Sequence, residues 1–202
     1  MPNQITGLQP PALPLPALAY DRPTADQTNN VLRLYFTRLN QLVSNLLGSV
    51  ESGGKVFYFP HASYSDTTNQ TALATGTEYA FTFNTEDDAA NVSLVSNSRI
   101  TAEYGGVYKF SLFGQASTTG GAGVVTVWAK VNGVNIRTAR RVNVTTETPV
   151  MLSGVITLQS GDYIEFYWET TNTNVSFDSI AAGANAPLIP SVDASLTYLS
   201  NG

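Results

Sequence analysis

No cysteine occurs in the 202 residues, which removes disulfides, a thiolate nucleophile and any cysteine-based metal site. Charge is scarce too: Asp, Glu, Lys and Arg make up 12 % of the chain, about half the roughly 25 % usual in soluble domains. The balance is acidic, net −5, and excludes a general nucleic-acid-binding field. Histidine appears once, at His61, so a Ser-His-Asp triad would have a single base and metal sites built from several histidines are excluded. There is no run of about 18 apolar residues, and no membrane span is expected. The N-terminus lacks the basic start and apolar core of a secretory signal, so the protein is expected to meet its partners from the cytoplasm where it is made.

What is present falls into three parts. Residues 1–23 hold six of the ten prolines, interleaved with Leu13, Leu15, Leu18 and Tyr20. Proline fixes φ and removes donors, so this stretch is expected to be extended. It reads either as a disordered tail or as an anchoring arm, and the leucine content favours the arm. Residues 24–48 carry an amphipathic helix. Thr24 with Gln27 forms a capping-box pattern, and Gly48 is a stop signal. Leu32, Tyr35, Leu39, Leu42 and Leu46 recur at steps of three and four, the spacing of an oligomerisation seam. Phe36, Val43 and Leu47 widen that face. Packing of the helix on its own β-domain is the competing reading. Glycines and serines at 49–54 suggest a hinge.

Residues 55–202 read as all-β. Alternating or continuously apolar runs cover 56–64, 79–83, 92–95, 106–116, 124–131, 149–158, 162–170, 174–180 and 191–199, with turn signals between them. Asn132-Gly133 between two valines is a hairpin cue. Eight or nine strands in about 145 residues imply a jelly-roll sandwich. In the run 162–170, Ile164, Phe166 and Trp168 share one face and Tyr163, Glu165, Tyr167 and Glu169 the other. In 106–116, Tyr108, Phe110 and Leu112 oppose Val107, Lys109, Ser111 and Phe113. Aromatics on both faces point to a head that packs on copies of itself, with Phe113, Tyr163 and Tyr167 as the candidate head–head interface.

No catalytic constellation emerges. His61 sits in an early strand and reads as structural. Glu86-Asp87-Asp88 reads as a solvated acidic loop rather than a calcium site, and Glu165 with Glu169 as surface residues rather than a glycosidase pair. No cofactor and no metal are expected. Arg137, Arg140 and Arg141 are either a solvated face or a grip for an anionic glycan. With Asn172 and Asn174 in the loop after Trp168, they form the candidate ligand-binding set.

Two motifs carry a family resemblance. Gly106-Val107-Tyr108-Lys109-Phe110-Ser111 resembles the glycine-x-tyrosine-x-phenylalanine strand of tumour-necrosis-factor-like jelly rolls, including complement-type globular heads. Leu158-Gln159-Ser160-Gly161-Asp162-Tyr163-Ile164 is similar to the leucine-x-x-glycine-aspartate lead into a late strand of that family. The Pro/Leu-rich lead, Tyr20-Asp21-Arg22 and the helix resemble small virion proteins of tailed bacteriophages. Together these imply a non-enzymatic structural protein of a phage virion: a homotrimeric decoration, short fibre or spike. Its partners would be its own copies and the capsid or tail proteins. The alternative is a receptor-binding tail fibre tip that recognises a host cell-surface glycan.

Overall fold

The computed structural model describes residues 12, 21–47 and 59–200, the last four of the second stretch by backbone only. The anchor residues Leu13, Leu15, Leu18 and Tyr20, the stop Gly48, the hinge 49–54 and residues 55–58 lie outside the described residues. Two compact units divide the chain, one over residues 1–58 and the other over 59–202.

In the first unit a single helix, α1, spans Arg22–Leu47. It starts two residues before the expected position, and its N-cap is Asp21 rather than Thr24. The Asp21 carboxylate accepts from the Thr24 backbone N–H at 3.2 Å and from the Thr24 hydroxyl at 2.6 Å. The Ala25 N–H then bonds to the Asp21 carbonyl at 3.1 Å, the first helical bond. Pro23 falls in the first turn, where a missing N–H costs nothing. Thr28 and Thr37 return their hydroxyls to the carbonyls of Thr24 and Arg33, so neither threonine leaves an unsatisfied group in the helix.

The second unit is a two-layered antiparallel jelly-roll sandwich of thirteen strands. In chain order these are β1 (His61–Asp66), β2 (Gln70–Thr71), β3 (Tyr79–Ala80), β4 (Thr85–Ala90), β5 (Val92–Val95), β6 (Arg99–Ala102) and β7 (Gly106–Thr118). They continue as β8 (Gly123–Val131), β9 (Val134–Val144), β10 (Thr148–Leu158), β11 (Tyr163–Thr170), β12 (Val175–Phe177) and β13 (Val192–Ser200). One sheet has seven strands, ordered β2-β12-β7-β13-β1-β4 with β10 also on β7. The other has six, ordered β5-β6-β11-β8-β9 with β3 also on β11. The β8–β9 hairpin turns at Asn132 (φ 50°) and Gly133 (φ 78°), the paired positive φ values of a tight two-residue turn.

The core lies between the inward faces. Tyr108, Phe110 and Leu112 of β7 meet Ile164, Phe166 and Trp168 of β11, all six fully buried, in the alternation expected from the sequence. Phe110 and Phe166 touch across the layers with centroids 5.8 Å apart. Trp168 is clamped by Phe81 at 6.0 Å, Phe177 at 5.1 Å and Tyr79 at 5.5 Å. Buried phenols are bonded: Tyr64 donates to the Val92 carbonyl at 3.1 Å and Tyr108 to that of Tyr104 at 2.6 Å. Burial pushes both of these tyrosines up to about 12, because a phenolate would be stripped of water there.

Three expectations change. Glu86, Asp87 and Asp88 are not in a loop but on β4, an edge strand that charge protects from further pairing. Strands β6 and β9 were not expected as such. The run 79–83 is regular only over Tyr79–Ala80, although Phe81 and Phe83 still donate to the carbonyls of Phe166 and Asn97.

Gly154 of β10 stands opposite Phe110 of β7. A Cβ added there would lie 2.7 Å from the tip of the Phe110 ring, which the core holds in place. Gly154→Ala is therefore expected to lower stability by about 1–3 kcal/mol by overpacking. Guanidinium denaturation followed by tryptophan fluorescence checks it.

Candidate interaction surfaces

The helix presents a continuous apolar stripe. At about 100° per residue, Leu32, Tyr35, Leu39 and Leu42 fall on one side, and Phe36 and Val43 lie beside them. The first four are partly covered, while Phe36 is 59 % and Leu34 58 % exposed. The Tyr35 and Phe36 rings meet edge to face at 5.6 Å. The fifth seam residue, Leu46, lies on the helix backbone, and its side chain is outside the described residues.

The two outer faces of the sandwich differ in character. Phe113 belongs to β7 in the seven-stranded sheet, whereas Tyr163 and Tyr167 belong to β11 in the six-stranded sheet. The three therefore lie on opposite layers of one head and share no single face; only a contact of one layer with the other layer of a neighbouring copy would bring them together. Alternation along each strand placed them correctly as outward residues; which sheet each strand joins is settled only by long-range pairing.

On the seven-stranded face, Phe113 forms a row with Met151 of β10 and Asp193 of β13. Phe113 is 40 % exposed, Met151 59 % and Val155, two rows further along β10 and opposite Lys109, 63 %. The row between them is small-chained, with Ser111 and Ser195 sharing a hydrogen bond of 2.6 Å, and further across the sheet Ser65 donates to Asp87 at 3.2 Å. Desolvation by burial, with the Asp87 charge as a smaller cause, raises the Asp193 carboxyl above the usual aspartate value. A shallow dimple of about 150 Å³ adjoins Phe113, Met151, Ile189 and Asp193.

The six-stranded face is laced with charge and rings. Glu165 is only 4 % exposed and accepts from the Ser98 hydroxyl at 2.9 Å and from Arg99 Nε at 3.4 Å. Arg99 in turn lies over the Tyr163 ring at 4.7 Å. Lys130 donates to both Glu78 oxygens at 2.8 and 2.9 Å and sits over Tyr167 at 4.0 Å. Tyr163 and Tyr167 are thus half-covered by cations of their own chain. Burial, and then Glu165, raises the Tyr167 phenol. Glu165 and Glu169 stand about 13 Å apart along the strand, beyond the ~5–9.5 Å used by glycosidase pairs.

The candidate ligand set does not converge. Asn172 spends its amide on the chain: Nδ2 donates to the carbonyls of Gly120, Gly121 and Ala122 at 3.0, 3.3 and 3.3 Å, and Oδ1 accepts from Asn174 N at 3.0 Å. Asn174 Nδ2 likewise donates to Gly120 at 3.1 Å. Both are braces of the loop 118–123, and the adjacent Trp168 is buried at 1 %. Arg137, Arg140 and Arg141 all lie on edge strand β9, exposed and without an ion pair among the described residues. Arg140 and Arg141 are successive strand residues, so they leave on opposite faces and do not form one cradle. The Asn132-Gly133 turn bonds to Asp162 and Tyr163, at the end of the sandwich away from the loop 118–123. His61 opens β1, with Nδ1 2.7 Å from the Phe59 carbonyl and Nε2 3.2 Å from Asp88.

Sequence reasoning missed Trp128, Met151 and Val155. Trp128 was detectable. In β8 the buried set is Val125, Val127 and Ala129, so Thr126, Trp128 and Lys130 are out of phase with it and face outward.

No protein-family model matches the chain, and no curated protein matches it. Among solved structures it is similar to the Eiger TNF of S. frugiperda, at 10 % identity and a TM-score of 0.46 over 71 % of this chain and 94 % of that one.

Two outcomes are expected. Asp193→Asn should raise stability at neutral pH. A carboxyl raised in the folded state contributes fully below the unfolded value, about 3.9, and that contribution is lost as pH rises through the higher folded value. The variant's advantage should therefore shrink in acid, which thermal unfolding across a pH series measures. Asn172→Ala should cost about 1 kcal/mol and speed amide hydrogen exchange selectively in the loop 118–123.

Proposed function

We propose that this protein is a non-enzymatic structural component of a phage virion, a homotrimeric decoration or short fibre attached by its N-terminal arm and helix. The observation that carries this reading is the pair of unsatisfied apolar surfaces on one small chain. One is the stripe of α1. The other is the exposed Phe113–Met151 pair, with Val155 two rows beyond, on the outer face of the seven-stranded sheet.

Helices in proteins draw most of their stability from packing an amphipathic face, and the leucine stripe of the 26-residue α1 needs a partner to cover it. Copies of the chain, or a particle surface, supply one. The flat, hydroxyl-rich face beside Phe113 suits sheet-to-sheet contact, and about 800 Å² per partner suffices for stable association. Tyr163 and Tyr167 are better explained by their own cations than by a neighbouring head. The virion placement is supported by the resemblance of the Pro/Leu-rich lead and helix to small phage proteins.

Light scattering of the purified chain is expected to give three chain masses. Met151→Asp should lower the mass while near-UV circular dichroism stays native. Removing residues 1–48 should abolish incorporation into particles and leave the β-unit folded. A monomeric wild-type chain, or truncated protein that still loads onto particles, would overturn the respective half of the proposal.

A further inference from the structure

The outer face of the six-stranded sheet holds a site that the self-association above does not use. In its middle row Ala139 of β9, Trp128 of β8 and Tyr167 of β11 are register partners. Trp128 stacks on Tyr167, with centroids 6.1 Å apart and planes 22° from parallel. Its indole N–H donates to Asn135 Oδ1 at 3.1 Å. One side and one edge of the ring are thereby fixed. On the remaining side the register partner is the small Ala139, and beside it is an open groove of about 330 Å³, lined by Thr126, Trp128, Asn135, Ile136, Ala139 and Glu169.

The polar groups around that groove are unspent. Glu169 makes no hydrogen bond or ion pair among the described residues, unlike Glu78 and Glu165 on the same face. Asn135 uses its oxygen on the indole, and its amide donors have no partner among the described residues. Arg141 is the register partner of Thr126 and ends the row that Glu169 begins. One acid and one base leave the groove near neutrality.

We propose that this groove binds a neutral saccharide, with a pyranose ring lying on the exposed indole face of Trp128. The C–H edges of a sugar ring are weakly positive and meet the negative face of the indole. Its hydroxyls both donate and accept, which matches a carboxylate acceptor at Glu169, amide donors at Asn135 and the hydroxyl of Thr126. A volume near the small end of ligand sites, about 300 Å³ upward, admits one or two sugar rings. The ring is ordered before any ligand arrives, so binding loses little side-chain freedom. The site shares no residue with the proposed self-contact and lies on the layer opposite Phe113.

The test uses the full chain, titrated with maltotriose, cellotriose, mannotriose and N-acetylchitotriose and followed by calorimetry and tryptophan fluorescence. Trp168 is buried, so a fluorescence change reports Trp128. Saturable binding of at least one sugar is expected. Trp128→Ala and Glu169→Gln should each weaken it by about tenfold or more. Ala139→Leu, which fills the groove and removes no contacting group, should do the same even if loss of the tryptophan disturbs Tyr167. Asp193→Asn, on the opposite layer, should leave affinity unchanged. Absence of saturable binding to all four sugars overturns the proposal, as does affinity that survives Ala139→Leu.

Discussion

The thirteen residues of β7 are bonded along both edges, and the rest of the sandwich is arranged by that sharing. One edge takes β10 along Gly106–Ala116; the other takes β13 and, at the far end, β12. Its inward residues Tyr108, Phe110 and Leu112 are then committed to the core, where Phe110 reaches the opposite layer. Because strand residues alternate, the same commitment forces Phe113 outward beside Met151. The core and the candidate self-contact are thus two sides of one strand. Register fixes both, since a slip by a single residue would exchange them.

The two outer faces handle their exposed aromatic residues by different means. On the six-stranded face Tyr163 and Tyr167 are covered by Arg99 and Lys130, whose charges are in turn held by Glu165 and Glu78. These bonds stay within the chain and leave a surface laced with ion pairs, with one ring, Trp128, beside an open groove. On the seven-stranded face nothing comparable protects Phe113, Met151 and Val155. Exposed apolar side chains without local cover are the reason this face is the one proposed for self-contact.

How much of this was legible follows from period and range. Ile164, Phe166 and Trp168, like Tyr108, Phe110 and Leu112, were readable as core because alternation is local. The Asn132-Gly133 turn was readable because its chemistry admits two positive φ values. β4 and β9 were not, since edge strands carry Glu, Asp, Arg and Asn on exposed positions and their apolar period fades. That Phe113 lies on a different layer from Tyr163 and Tyr167 was hidden for a different reason: facing outward is a property of one strand, while belonging to a layer is a property of pairs. Asn172 and Asn174 were judged by side-chain type, which does not reveal that three glycine-loop carbonyls already occupy the amide.

The pairing of β1 with β13 has a practical side. His61 opposes Thr197 and Asp66 opposes Val192, so Ser200 emerges at the end of the sandwich where β1 starts. The loops 118–123 and 170–174 occupy the other end, joined by the Asn172 brace. A passenger polypeptide fused after Ser200 would therefore leave the head beside its own point of arrival. One spliced between Thr119 and Gly123 would be displayed at the tip instead, at the expense of that brace.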